Sequence, residues 1–297
     1  MSLTDIHYFS PQSVSEALQL LSELEEARLL AGGTDLIVDL KQGQIQTRNI
    51  VSLQGIEILR GITEEKGRIR IGALVTPAEI SESPILKLHN PALSEAAGSM
   101  SSAQIRSMAT VGGNIASAVP SADLPPSLIA AEATLQMVCS DSAYEVALAD
   151  FFTGPRQTVC GAGEIITGVF VPIYQSGTGF SYQKFTLRDA NALAVASAAV
   201  RLTLEDSRIQ EASIVLGAVS PVPMRAEKAN EILVGKTPSD DLFQSAALLA
   251  EKECQPISDI RGSDWHRREL IRVLTVRALC QARERALGKT SVEELSR

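Results

Sequence analysis

The stretch ATVGGNIASAVPSADLPPS, residues 109–127, constrains this chain more than any other. Gly112 and Gly113 admit backbone angles that other residues avoid, and they let a neighbour approach the main chain closely. Pro120, Pro125 and Pro126 fix φ and remove amide donors, so neither a long helix nor a central strand can run through the segment. It reads as a loop shaped around something. Its one acid, Asp123, sits in an apolar frame, and spacing leaves two roles open. It caps the helix that begins at Pro125, or it faces a hydrogen-bond donor on a ligand.

The flanking sequence divides into two textures. Ser13 with Glu16 forms a capping box ahead of a helix with Ala17, Leu20, Leu21 and Leu24 on one face. A short strand at 27–31 runs into the turn Gly32-Gly33-Thr34-Asp35, and a helical turn starts at Leu36. Strands are predicted at 49–53, 68–75, 134–139 and 164–171, with helices from Thr76, around 91–100 and after Pro125. Gly177 and Gly179 read as a linker. Beyond them come three strands (GFSYQKFTL, AVASAAVRLTLE and RIQEASIVLGAVS) and then three helices, at PMRAEKANEIL, 240–253 and 264–287. Strands followed by helices indicate an α+β class, and the boundary is placed near residue 175. The division is 1–175 and 176–297.

Composition removes several function classes. With 45% hydrophobic residues the chain builds real cores, and a formal charge of −8 argues against nucleic acid or an anionic membrane as the main partner. No apolar run approaches the ~20 residues of a membrane span, and the N-terminus lacks signal-peptide character, so cytoplasmic residence is expected. Cys139, Cys160, Cys254 and Cys280 are far apart in sequence, which favours buried apolar thiols over a metal or iron–sulfur site. No HExxH or GxSxG occurs. Basic residues crowd Arg261–Lys289, as a solvated helix face or as a docking surface for an acidic partner.

AGGTDL (31–36) lies after a strand and has two readings, an ordinary tight turn, the commoner use of a double glycine, or a run of exposed amides that can cradle phosphate oxygens. TVGGN (110–114) offers Thr110, more small-residue amides and the Asn114 side chain. Neither is GxGxxG or a P-loop. Two such loops suit a ligand with more than one phosphate, at about 1.5–3 kcal/mol per well-made charged hydrogen bond. Several together, with ring burial, reach the ~8 kcal/mol of micromolar affinity or better. Asp123 would repel phosphate, so a ribose or ribityl hydroxyl is its natural partner.

LLAGGTDL (29–36) with TVGGNIASAVPSADLPPSL (110–128) resembles the paired FAD-binding signatures of the flavoprotein subunits of molybdenum hydroxylases. That family includes the FAD domain of xanthine dehydrogenase and the medium subunit of aerobic carbon monoxide dehydrogenase. FSPQSVSEAL (9–18) and QKFTLRDANALAVASAAVRL (183–202) resemble the family's opening and the start of its C-terminal domain. The likeness spans nearly the whole chain.

The resemblance implies an FAD-binding domain of two α/β subdomains, like that of vanillyl-alcohol oxidase (PCMH type). A small α+β domain with a three-stranded antiparallel sheet follows it. It places the cofactor against Leu29, Leu30, Ala31, Gly32, Gly33, Thr34, Asp35 and Leu36, and against Thr110, Val111, Gly112, Gly113 and Asn114. Asp123 matches the acid on a sugar hydroxyl, and Ile166 and Lys184 match contacts near the adenine or flavin ring. The implied role is electron transfer, from a small subunit with [2Fe–2S] clusters to NAD or another acceptor. A large subunit carries the molybdenum cofactor, in a dimer of heterotrimers. The chain itself supplies no catalytic side chain and no metal ligand. Leu187-Arg188 stands where many relatives have two arginines, and Met100 where some have an aromatic residue. The alternatives are a stand-alone flavin-dependent oxidoreductase of the same fold and a non-catalytic nucleotide-binding or assembly protein.

Overall fold

The structure, a computed structural model, describes residues 6–140, 142–191 and 193–288. It begins with a three-stranded parallel sheet, β1 (His7–Phe9), β2 (Arg28–Leu30) and β3 (Asn49–Ser52), in the order β1-β3-β2. Between the first two strands runs α1 (Val14–Glu23). Ser13 Oγ accepts the Glu16 amide, while the Glu16 carboxylate reaches one residue further back than a capping box requires, to the Gln12 amide at 2.8 Å. Ala17, Val51, Leu53, Ile56 and Leu59 close a small core beneath this sheet. The first glycine turn leads from β2 into α2 (Leu36–Lys41).

A second lobe is built on a five-stranded antiparallel sheet. Its strands are β4 (Ile62–Glu65), β5 (Arg68–Gly72), β6 (Thr134–Val138), β7 (Ala143–Ala147) and β10 (Ile165–Pro172), in the order β4-β5-β10-β6-β7. Six short helices separate β5 from β6: α3 (Pro77–Glu82), α4 (Pro84–His89), α5 (Pro91–Gly98), α6 (Ala103–Met108), α7 (Val111–Ala116) and α8 (Leu124–Ala130). Proline opens α3, α4 and α5 at the first helical position, and Thr76, Ser83 and Asn90 cap them, which explains why the segment breaks into short pieces. The hairpin β8 (Phe152–Gly154) and β9 (Gln157–Thr158) is an outgrowth between β7 and β10.

The C-terminal sheet has β11 (Thr178–Phe185), β12 (Ala196–Glu205), β13 (Arg208–Gly217) and a two-residue fourth strand, β14 (Met224–Arg225). The expected sheet had three strands; two residues among prolines carry no readable alternation. In β12, Ala196, Ala198, Val200 and Leu202 face a core with α9 (Glu227–Leu233), α10 (Asp240–Glu253) and α11 (Asp264–Ala286). Ala199, with Phe180, Tyr182 and Val215, packs into the core of the second lobe. Burial on both faces is why this strand reads as an unbroken apolar run.

Two expectations change here. Gly179 lies inside β11, not in a linker: a Cβ on it would sit 1.9 Å from the Ala282 carbonyl, so glycine lets α11 lie directly on the strand. Most of the described arginines of the basic segment form neither a solvated face nor an open docking surface. Arg267 is 1% exposed and donates to the Val195 and Ala218 carbonyls at 2.7 and 2.9 Å and to Asp259 at 2.8 Å. Arg268 donates to the Glu251 carbonyl, Arg283 pairs with Asp240, and Arg285 ties α11 to Phe180 and to Glu95 of the second lobe. Arg277 is exposed, and Lys289 lies outside the described residues. Of the cysteines only Cys254 is buried; Cys139, Cys160 and Cys280 are half-buried.

Candidate functional site

A cleft of about 680 Å3 opens between the first lobe, α6 to α8 and the loop that follows β11. Of the residues expected to hold a cofactor, Leu29, Ala31, Gly32, Gly33, Thr34, Asp35, Leu36, Thr110, Gly113, Asn114 and Asp123 line it. Leu30, Val111, Gly112, Ile166 and Lys184 do not. Ile166 is 7% exposed in β10, paired with Met137 and packed in the core of the second lobe.

The first glycine loop is a backbone surface. The Leu30 carbonyl accepts the Leu53 amide and the Ala31 carbonyl accepts Gln54 Nε2, which fixes the loop's entry. Gly33 turns the chain at φ +74°, and its carbonyl accepts the Ile37 amide at the start of α2. The amides of Gly32, Gly33, Thr34 and Asp35 have no acceptor among the described residues. Gly32 abuts the second loop's approach: a Cβ there would lie 2.0 Å from the Met108 carbonyl oxygen.

The second glycine stretch differs from the open amide run expected of it. It is the first turn of α7, capped by Thr110, whose Oγ1 accepts the Gly113 amide at 3.1 Å. The Val111 amide donates to Val75, Gly112 to Ala73 and Asn114 to Thr110, each at 2.9 Å. All four amides are spent within the chain. What the stretch offers the cleft is the Asn114 side chain, whose Oδ1 is buried without a partner among the described residues. A buried polar atom without a partner costs stability unless something arrives to pair with it.

Asp123 does not cap α8; its side chain makes no bond to the helix amides. Instead Oδ1 accepts from Tyr182 Oη at 3.0 Å and from Lys184 Nζ at 2.8 Å. Both donors sit on β11, two residues apart and so on one face of the strand. Lys184 Nζ also donates to the Ser99 carbonyl at 3.1 Å, and its side chain is only 5% exposed. Lys184 therefore stands behind the acid rather than in the cleft. Burial pushes the Asp123 carboxyl up, and the Lys184 charge and the Lys184 and Tyr182 hydrogen bonds oppose that rise. Burial and the neighbouring Asp123 push the Tyr182 phenol well above its ordinary value. With Oδ1 doubly occupied, Oδ2 has no donor among the described residues.

Several cleft residues carry no sequence signal. Tyr182 is one supporting residue; Arg28, Asp39, Gln44, Ile45, Arg156 and Asn191 line the walls. Met100 and Leu193 give the end near the C-terminal sheet an apolar surface. Arg188 folds its own loop, donating to the Asn191 carbonyl through Nε and Nη2, and the Asn191 amide reaches the Ser101 carbonyl. No group of three or more His, Cys, Asp or Glu side chains suited to a metal occurs among the described residues. No helix among them is long and apolar enough to cross a membrane.

The residues present fit a dinucleotide with a hydroxylated linker. Free amides suit anionic oxygens, Oδ2 of Asp123 suits a hydroxyl donor, and Asn114 Oδ1 awaits a further donor.

Comparison with known proteins points the same way. Residues 4–174 match the FAD binding domain in molybdopterin dehydrogenase, and residues 180–282 match the CO dehydrogenase flavoprotein C-terminal domain. The glyceraldehyde dehydrogenase medium chain of Sulfolobus acidocaldarius is 32% identical over 92% of this chain and 97% of its own length. The carbon monoxide dehydrogenase medium chain of Afipia carboxidovorans is 34% identical over 94% and 97%. A chain of a carbon monoxide dehydrogenase from Hydrogenophaga pseudoflava, lacking the Mo-pyranopterin moiety of its cofactor, superimposes with a TM-score of 0.91. It is 32% identical, covering 96% of this chain and 98% of that one. The chain belongs to the family of FAD-binding medium subunits of molybdenum hydroxylases.

Proposed function

We propose that this chain holds FAD in the cleft and serves as the electron-transfer subunit of a heteromeric molybdenum hydroxylase. Its electrons come from the [2Fe–2S] clusters of a small subunit and leave to NAD or another acceptor. A large subunit with the molybdenum cofactor binds and hydroxylates the organic substrate, in a dimer of heterotrimers residing in the cytoplasm. The observation that carries the reading is that one cleft is lined both by residues 32–35 and by Asp123, whose backbone amides and Oδ2, respectively, have no partner among the described residues. Ile166 and Lys184 serve the ligand indirectly, through the packing of β10 and through Asp123. A division of labour near residue 175 fits the two matched segments, 4–174 and 180–282.

Bound FAD supplies the capacity to take up two electrons and release them to an acceptor. The protein's part is to bind and orient. Amides 32–35 donate to anionic oxygens, Asp123 Oδ2 accepts a hydrogen bond from a hydroxyl, and Met100 and Leu193 give one end of the cleft an apolar lining. The purified chain should be yellow, and acid precipitation should release all of the colour, because neither glycine loop contains a His or Cys for a covalent link. Alone, it should turn over no purine, aldehyde or carbon monoxide with any acceptor. Co-expression with its partner subunits should yield a complex containing iron, sulfide and molybdenum. Hydroxylase turnover by the isolated chain would overturn the subunit reading, and colour left in the pellet would overturn the non-covalent one.

A further inference from the structure

The cleft carries a guanidinium to which nothing in the sequence drew attention. β8 and β9 are joined by the two-residue turn Pro155–Arg156, and Arg156 takes φ +57°. Proline followed by a residue of positive φ is the pattern of a type II turn, whose second central place favours glycine. An arginine there holds a strained backbone, and such an outlier directs attention to function. The fold at that point rests on the backbone: the Arg156 amide donates to the Ala118 carbonyl at 2.8 Å and pins the hairpin tip.

The side chain reaches across to the first lobe. Nη1 donates to Asp39 Oδ2 at 2.7 Å; the Asp39 side chain is 8% exposed, whereas that of Arg156 is 55% exposed and lines the cleft. Nε and Nη2 make no hydrogen bond among the described residues, so the fork keeps free donors. Asp39 lies four residues beyond Asp35 on α2, about 6 Å of helical rise from the free amides. An anionic group bridging that distance touches both. A planar guanidinium, held by a carboxylate on one edge, presents its other N–H groups to phosphate oxygens in a fixed direction.

We propose that Arg156 is a ligand-contacting residue of this cleft, held in place by Asp39, and that it binds the diphosphate of the dinucleotide alongside the amides of residues 32–35. The inference rests on the FAD reading above and names a contact within it.

The test is titration of the FAD-stripped full chain with FAD, followed by flavin fluorescence at low and at high ionic strength, for wild type, Arg156→Gly and Asp39→Asn/Arg156→Gly. The double variant removes both charges together, leaves no buried carboxylate unpaired and puts glycine where the backbone favours it, so its melting temperature without FAD should be at or above that of wild type. Both variants should weaken FAD binding at least tenfold at low salt, and the gap should narrow at high salt, where screening weakens the guanidinium's contribution in wild type. Arg156→Lys, which keeps the charge and loses the fork, should fall between. Wild-type affinity in the double variant would overturn the role of Arg156. So would an equal loss at both salt concentrations with a lowered melting temperature, the mark of a structural latch. A wild-type chain that takes up no FAD overturns the FAD reading itself, a result separable from either of these.

Discussion

The two double-glycine stretches look alike in sequence and do opposite things with their backbones. Residues 32–35 line the cleft and leave four amides without an acceptor among the described residues, while residues 111–114 spend all four of theirs on Val75, Ala73 and Thr110. In the first loop, glycine allows a positive φ at Gly33 and a close passage over Met108 at Gly32. In the second, Gly112 makes room for Ala73, whose Cβ and carbonyl oxygen would each lie 2.9 Å from an added Cβ. One loop is a binding surface. The other is a packing joint that presents side chains, Asn114 directly and Asp123 after the next turn. The double glycine marks where the chain comes close to something, and only the tertiary structure says whether that something is a ligand or the protein.

The strongest test of this contrast is Gly32→Val. An added Cβ would collide with a backbone carbonyl that cannot rotate away, so the two loops must separate. The expected cost exceeds about 4 kcal/mol, in the range reserved for severe core defects. Soluble yield should collapse and any recovered protein should be colourless, read by absorbance and thermal melting. A stable yellow variant would mean that the loops are not packed as described.

Asp123→Ala comes next, because it strands Lys184 in a site where that side chain is 5% exposed. Removing one partner of a buried pair costs about 3–5 kcal/mol. Adding Lys184→Met should restore much of that stability in chemical denaturation, since removing both charges together is often near neutral. FAD affinity should stay reduced in the double variant, because Oδ2 is still missing. Full recovery of affinity would show that Asp123 acts only on the fold.

Gly112→Ala should cost about 1–3 kcal/mol, the usual price of overpacking. Its FAD affinity, measured below the melting transition, should change less than its melting temperature implies. A large affinity loss with unchanged stability would place the backbone at 112 against the ligand.

What was legible in the sequence was local. Thr76 and Glu79 form the expected reciprocal cap, at 2.7 and 3.2 Å, because every partner lies within four residues. The strands of the C-terminal sheet and the two long helices fall where apolar runs and caps put them. The first glycine loop was readable for the same reason, as a turn between a short strand and a helix. The second was not, because the carbonyls that take two of its four amides, those of Val111 and Gly112, belong to Val75 and Ala73, far back in the chain. The arginines of α11 misled in the same way: Arg285 finds Glu95, 190 residues away, and no charge pattern within a helix announces that. Asp123 was legible as a special acid, but its donors on β11 come from the other sheet. Arg156 was illegible altogether, an ordinary arginine until a turn places it over Asp39.

The smallest expected effect is the most delicate test. Gly113 lies inside α7, and an added Cβ there would meet only Thr110 Oγ1, at 2.9 Å. Gly113→Ala gains about 0.5–1 kcal/mol of helix propensity. It disturbs a cap whose full loss costs about 0.5–2 kcal/mol. The two offset, so stability should move by less than about 1 kcal/mol, checked by urea titration. FAD affinity should stay within about threefold, since 1.4 kcal/mol is a full factor of ten. If the variant folds as wild type and yet loses FAD, the ligand must touch the backbone of the second stretch despite its spent amides. The two loops would then be alike in function after all, with the amides of 111–114 shared between the chain's own acceptors and the cofactor.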